Sequence, residues 1–242
     1  MMLELPQIAA RFSRAAPLYQ QHNTLQRRSA SLLLDRMTQQ GGDWLDLGCG
    51  PGTSLTEFQP QTVVAVDIAT AMLQQLRGHF PDYQAICADA QNLPFKNRKF
   101  DAIFSNVALQ WCADLGAVVR ELKRVSRPGA EICVSMVADS LPQLQRLGLS
   151  NRCFASYADI RAQFTQVPWQ SLQIEQQTIR CYFNDLRALL YSLKGVGASM
   201  VASGGGLRGR RYWHLLQQRA ESLRTQAGLP LDYTIVLITA RS

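Results

Sequence analysis

The stretch Asp46-Leu47-Gly48-Cys49-Gly50-Pro51-Gly52 puts three glycines within five residues, directly after the short apolar run Trp44–Leu47. Glycine lets a backbone turn tightly and approach a ligand where a Cβ would intrude. A phosphate-cradling loop of the G-x-x-x-x-G-K type, closed by Ser or Thr, needs a lysine, and none follows here. A dinucleotide fingerprint needs G-x-G-x-x-G, and with Gly52 one position early and Pro51 before it, the third glycine is misplaced. What remains is a tight turn that beds part of a ligand.

Three carboxylates narrow the ligand. Asp67 closes the apolar run Thr62–Asp67. A carboxylate at the end of the second strand of a doubly wound sheet lies beside such a loop and can accept both hydroxyls of a ribose. Asp89, at the end of Tyr83–Asp89, could accept from an exocyclic adenine amine, and Asp46 could orient an ammonium group. Adenine, ribose and an amino acid without a pyrophosphate describe S-adenosylmethionine.

The surrounding pattern must hold these groups in place. Helical spacing runs from about Pro6 to Met37 and stops at Gly41-Gly42. Short apolar runs at 44–47, 62–67, 83–89, 100–106 and 131–137 read as strands, buried and parallel in the first two cases. Helical segments lie between them at 69–80 and from Leu115 to Arg127, with Pro128-Gly129 as the stop of the second. This alternation predicts right-handed βαβ units and an α/β doubly wound, mostly parallel sheet with helices on both faces. Residues 138–170 carry helical pieces and no clear strand, as an insertion or lid would. A strand is expected over 172–183 and a helix over 184–197, capped by Asn184 or Asp185. A helix over 211–228, closed by Gly228, and a last strand over 231–241 complete the chain. One domain is expected: a helical cover over 1–40, a ligand-binding half over 41–137, the insertion, and a second half over 171–242.

Bulk properties exclude several classes. The 242 residues, 47% apolar and 18% charged, suit one large α/β domain. No apolar run of ~18 residues predicts a membrane span. The N-terminus lacks the basic start, apolar block and cleavage site of a signal peptide, so a cytoplasmic location is expected. Six cysteines and three histidines show neither C-x-x-C nor H-x-x-x-H spacing, so no metal site is expected, and the cysteines read as small buried apolar residues. The net charge of +7 favours acidic partners. The basic residues are dispersed, apart from Arg208, Arg210 and Arg211, which read equally as a binding patch or a solvated helix start.

The runs "DLGCGPG", "VDIATAML", "ADAQNLPF", "FDAIFSNVALQW" and "ELKRVSRPGA", in this order, resemble the class I methyltransferases. The resemblance implies a seven-stranded sheet. It also implies that Gly48, Gly50 and Gly52 line the methionine portion of the donor, that Asp67 holds its ribose, that Asp89 and Ala90 sit at its adenine, and that Asn106 faces the methyl donor. Outside those runs, "ARFSRAAPLYQQHNTLQRRSASLLL", "SNVALQWCADL", "DSLPQL", "LYSLKGVGAS" and "GLPLDYTIVLITARS" resemble the malonyl-[acyl-carrier protein] O-methyltransferase family of biotin synthesis over nearly the whole chain.

That family implies methyl transfer from S-adenosylmethionine to the free carboxylate of a malonyl group on an acyl-carrier protein. A carboxylate with a reference pKa of about 4 is already ionised at neutral pH, so no catalytic acid–base pair is expected. Candidate substrate residues are Tyr19 in the N-terminal cover, Gln110 and Trp111 after the fourth strand, and Lys194. The bland alternatives are lid packing for Tyr19, core packing for Trp111 and solvation for Lys194. Arg27 could reach the donor's carboxylate, though a surface role suits it better. Arg208, Arg210 and Arg211 could meet an acidic carrier. The reading is of a monomer with no nucleic-acid or membrane partner: the [DN]-P-P-[YFW] run frequent in N-methylating enzymes of bases is replaced by "SNVALQW".

Overall fold

The computed structural model describes residues 4–139, 141–149, 154–196 and 209–242. Seven strands form one sheet in the order β3-β2-β1-β4-β5-β7-β6. These are β1 (Asp43–Leu47), β2 (Thr62–Asp67), β3 (Gln84–Cys87), β4 (Phe100–Asn106), β5 (Ser126–Ala138), β6 (Ser171–Phe183) and β7 (Leu229–Arg241). Strand β7 alone runs antiparallel to both its neighbours. The expected doubly wound, mostly parallel sheet is what the chain forms.

Period-two alternation assigns each strand residue a face. Leu45 and Leu47 join one core layer, with Ile132, Val134 and Met136. Trp44 joins the other, with Ala102, Phe104 and Cys133. Asp46 follows Trp44 by two residues and so shares its face.

The long N-terminal helical pattern breaks into α1 (Leu5–Ala15), a short 3-10 turn, α2 (Tyr19–His22) and α3 (Thr24–Leu34). Pro17 lacks the amide that would continue the ladder. The break sets Tyr19 at the start of a new helical segment. Helix α3 lays Leu25, Ala30 and Leu33 on the Trp44 face, while α4 (Thr70–His79) follows β2 and meets α1.

Helix α5 (Leu115–Val125) starts where Asp114 Oδ1 accepts the Ala117 N–H at 2.9 Å. It ends two residues before the expected Arg127. Ser126 is already extended and paired with Phe100, and Pro128-Gly129 falls where the β4–β5 register shifts rather than at a helix stop. Arg127 is held there by Asp43 and Asp101.

The expected insertion divides in two. Helix α6 (Pro142–Arg146) packs on β7, and α7 (Tyr157–Thr165) packs on α5 and buries Ile160 and Phe164 in the other layer. Helix α8 (Leu186–Lys194) is capped by Asp185, whose Oδ1 accepts from Ala188 N–H at 2.7 Å. Helix α9 (Arg210–Glu221) ends seven residues before Gly228, because Gly228 pairs with Thr225 in a turn leading into β7. Among the described residues, no helix is long and apolar enough to cross a membrane.

Candidate functional site

The glycine loop is tied to the end of β2. Val66 O accepts the N–H groups of Gly48 and Cys49 at 2.7 and 3.0 Å. Asp67 Oδ2 accepts the Gly50 N–H at 2.9 Å, and Asp67 Oδ1 accepts the Ala69 N–H at 2.8 Å. Each carboxylate oxygen keeps a free lone pair, which suits a vicinal diol.

The three glycines have separate reasons. A Cβ at Gly48 would meet Ala108 Cβ at 2.2 Å, and one at Gly52 would meet the Phe80 ring at 2.5 Å. Only at Gly50 would it meet no overlap: the Tyr19 ring is nearest, in ordinary contact at 3.9 Å, and the glycine there serves a φ of +52°. Two of the glycines thus allow close packing as well as lining a cavity, and Gly50 leaves room for a ligand.

Beside this loop lies a cleft of about 720 Å³ when the open solvent at its mouth is included. Asp67, Ile68, Met72, Asp89, Ala90 and Cys112 line its floor, and Leu5, Ile8 and Phe12 of α1 line its roof. The carboxylate of Asp89 is fixed by Gln91, whose backbone N–H donates at 2.9 Å and whose amide donates at 3.0 and 3.2 Å. The roof residues escaped the sequence reading, although Ile8 and Phe12 stand four apart on one helical face.

On the other side of the loop, Asp46, Gly48, Cys49, Gly52, Thr53, Asn106 and Arg27 line a polar cavity. Arg27, read from sequence as reaching the donor's carboxylate or, better, as a surface residue, is exposed and stands on the wall of this cavity. Asp46 is 1% exposed and its Oδ2 has no hydrogen-bond partner among the described residues. Burial first, and the Asp67 charge second, push its pKa up to about 8. Burial also raises Asp67, against the backbone N–H groups of Ala69, Gly50 and Ile68. Burial and both aspartates push the Cys49 thiol well above its ordinary value, so it stays protonated. A buried carboxylate with an unpaired oxygen beside a half-buried one fits a ligand that brings positive charge. A donor with an ammonium and a sulfonium fits this donor set.

Asn106 is held between these elements. It donates from Nδ2 to Gln26 O at 2.9 Å and accepts at Oδ1 from Ser135 Oγ at 2.8 Å, while Ser29 Oγ donates to Ser135 Oγ at 2.9 Å. Helix α3 is thereby fastened to β4 and β5 at the site.

A third pocket, largely apolar, is lined by His22, Gln110, Trp111, Leu141, Phe154, Ser192 and Tyr233, among others. No Lys, Arg, Asp or Glu is among the described residues that line it. Trp111 forms its wall toward the first cleft, edge-on to Phe12 at 5.4 Å and to Phe154 at 5.7 Å. Gln110 is buried and donates from Nε2 to Val107 O at 2.9 Å. Tyr19 lines all three spaces. Burial first, then Asp67 and Cys49, raises its phenol far above the ordinary range, so it remains neutral.

The structure therefore gathers Tyr19, Asp46, the glycine loop, Asp67, Asp89, Ala90, Asn106, Gln110 and Trp111. Lys194 is not brought to them. It sits exposed near the end of α8, with its Nζ 5.9 Å from the centre of the Tyr191 ring, because the inward face of α8 is taken by Leu186, Leu189 and Leu193. Arg210 and Arg211 are exposed at the start of α9, and Arg208 lies outside the described residues.

Residues 45–134 match the model of a methyltransferase domain family. Two curated relatives are malonyl-[acyl-carrier protein] O-methyltransferases. That of Erwinia billingiae is 38% identical, covering 95% of this chain and 94% of the relative. That of Alcanivorax borkumensis is 33% identical, covering 96% and 85%. The chain belongs to the malonyl-[acyl-carrier protein] O-methyltransferase family. A further relative, the biotin biosynthesis bifunctional protein BioHC of Cellvibrio japonicus, is 33% identical over 94% of this chain and 48% of its own length.

Solved structures share the fold. The YcgJ protein of Bacillus subtilis superposes with a TM-score of 0.63 at 18% identity, covering 89% of this chain and 98% of that one. A phosphoethanolamine N-methyltransferase of Haemonchus contortus gives 0.55 at 16% identity, covering 89% and 52%. As a member of the malonyl-[acyl-carrier protein] O-methyltransferase family, the chain is an S-adenosylmethionine-dependent O-methyltransferase. The carboxylates on either side of Gly50 fit the positive charge of that donor.

Proposed function

We propose that this enzyme methylates the free carboxylate of a malonyl group carried on an acyl-carrier protein, forming the methyl ester that starts a biotin precursor chain. The observation that carries the proposal is the pairing of a carboxylate-rich donor site with an acceptor pocket that, among the described residues, is lined by no carboxylate, amine or guanidinium group, the two joined at Tyr19.

Asp67 would hold the donor's ribose hydroxyls, Asp89 and Ala90 its adenine, Asp46 its ammonium and Arg27 its carboxylate. Gly50 leaves room for the chain between them. The donor supplies an electrophilic methyl group on a sulfonium. The acceptor oxygen is already an anion, so the protein needs no base. It must align the reacting atoms and exclude water. Trp111, Phe12 and Phe154 close the apolar side, and Tyr19 supplies a neutral hydroxyl where the spaces meet.

Among the described residues no fixed cation lines the acceptor pocket, and this suits the charge balance. An anion and a cation become neutral along the reaction path, so a lysine gripping the carboxylate would stabilise the ground state more than the transition state. Gln110 and Ser192 offer neutral hydrogen bonds to the acceptor's arm. The five free cysteines among the described residues suit a reducing, cytoplasmic setting, and we place the enzyme there as a monomer.

The test compares malonyl on carrier protein, malonyl-CoA and free malonate as acceptors, reading S-adenosylhomocysteine formation. Turnover strongest on the carrier-linked acid is expected. Turnover on none of them, with another small acceptor methylated, would overturn the assignment. Growth of a biotin auxotroph lacking the malonyl-methylating step, without added biotin, is the matching result in cells.

A further inference from the structure

The outer face of the N-terminal helices carries a second feature, separate from the three spaces already described. A groove between α1 and α8 is lined by Arg11, Arg14, Leu18, Tyr191, Lys194 and His22. A neighbouring depression adds Arg187 and Trp213 to Tyr191 and Lys194. Among the described residues no carboxylate lines either hollow, and none of Arg11, Arg14, Arg187 and Lys194 forms an ion pair. Leu18 is 49% exposed and Tyr191 46%, both large apolar groups set among the cations. Unpaired cations around exposed apolar side chains are the composition of a surface awaiting an anionic partner.

The groove has a connection inward. His22 lines both the groove and the apolar acceptor pocket. Its ring stacks on Tyr191 at 6.1 Å, and a Cβ at Gly195 would meet it at 2.2 Å, so the end of α8 closes directly on it. The neighbours Leu18 and Tyr19 divide the work: Leu18 faces the groove and Tyr19 the junction of the inner spaces.

We propose that this α1–α8 groove is the docking surface for an acidic carrier protein, and that the carrier's phosphate-bearing arm passes His22 into the acceptor pocket. The proposal rests on the acceptor assigned above. It gives Lys194 a role outside the reaction site, beside Arg11 and Arg14. It also moves the main contact from the start of α9, where sequence pointed, to the face that opens on the pocket. Carboxylates of the carrier and the phosphate of its arm supply the opposite charge, and Leu18 and Tyr191 supply the apolar contact.

The experiment uses the triple variant Arg11→Glu, Arg14→Glu, Lys194→Glu and the milder Arg14→Gln, with Arg210→Glu, Arg211→Glu as comparison. Three quantities are measured: KM for malonyl on carrier protein, KM for malonyl-pantetheine, which lacks the carrier, and Kd for S-adenosylmethionine. The expected result is a rise of at least tenfold in carrier KM for the triple variant and a smaller rise for Arg14→Gln. Malonyl-pantetheine KM and donor Kd should stay within twofold. A carrier KM within twofold of wild type in both groove variants overturns the proposal, as does a larger effect from the α9 pair. If the triple variant loses donor binding, the decision passes to Arg14→Gln by the same criterion. Titration with the unloaded phosphopantetheinylated carrier separates the two readings. Binding to wild type that the groove charge reversal abolishes, without any turnover of malonyl carrier, upholds the groove and overturns the acceptor.

Discussion

Asp67 Oδ2 accepts the backbone N–H of Gly50 at 2.9 Å, joining the end of β2 to the middle of the glycine loop. One bond thus aims the carboxylate and fixes the loop conformation together. Asp67→Ala should weaken S-adenosylmethionine binding by ~1–3 kcal/mol, the usual cost of a lost charge-assisted hydrogen bond. Asp67→Asn should lose less, since its amide oxygen can keep the Gly50 contact. Titration calorimetry of both variants checks this, and unchanged affinity in Asp67→Ala would remove the ribose assignment.

Asp46 makes donor binding depend on pH. Its folded pKa of about 8 means that the free enzyme holds a proton there at neutral pH. Binding an ammonium beside it favours the carboxylate and releases that proton. The free enzyme then carries more protons than the complex, so affinity should rise with pH up to about 8, by at most about tenfold per unit. Measurements between pH 6 and 7.5 keep the donor's own amine charged. Asp46→Asn should flatten most of the slope; an unaltered slope would locate the proton elsewhere.

The same shift bears on folding. An unfolded Asp46 ionises near its ordinary value, whereas the folded one does so near 8. Its burial therefore costs nothing at low pH and costs progressively more as pH rises from about 4 to 8. Asp46→Asn should gain stability relative to wild type over that window. Denaturant melts of both proteins at pH 5 and pH 8 read the difference.

Tyr19 lines all three spaces, so its two substitutions should separate. Tyr19→Phe keeps the ring and should lower kcat/KM roughly tenfold, the equivalent of one hydrogen bond. Tyr19→Ala removes the partition and should cost on the order of a hundredfold or more in kcat by admitting water. Equal effects would make Tyr19 a packing residue only.

Gly50 and Gly52 should fail differently. At Gly52, φ is +97° and a Cβ would press on Phe80, so Gly52→Ala should lose ~1–3 kcal/mol of stability. That corresponds to a melting temperature lower by roughly 2–4 °C per kcal/mol in a domain of this size. Gly50→Ala also strains the backbone, at φ +52°, but meets no overlapping neighbour, so it should cost less stability than Gly52→Ala while raising the donor Kd, because its Cβ would occupy the ligand's space. Thermal melts beside donor titrations distinguish the two.

Local chemistry determined the sheet and the donor half of the site. Strands β1, β2 and β4 declare themselves because both faces are buried, and Asp46, Gly50 and Asp67 lie within a few residues of one another's strand ends. Their roles follow from short-range geometry that any doubly wound sheet imposes. The ends of α5 and α9 were less legible: Ser126 pairs with Phe100 of the distant β4 ahead of Pro128-Gly129, and Gly228 pairs with Thr225 in a turn beyond the helix instead of closing it.

In the acceptor half, sequence named Tyr19, Gln110 and Trp111, and tertiary structure decided what surrounds them. Phe12, His22, Trp111, Phe154 and Tyr233 meet around one pocket from places up to 221 residues apart, and no spacing rule connects them. Lys194 shows the limit most clearly. It is one residue from Leu193, which lines the acceptor pocket, yet the turn of α8 carries it to the outer surface beside Arg11 and Arg14. Residue type and order name the ligand of a turn. Which side of a helix faces a pocket is settled only when the faces with the most apolar area are buried against each other.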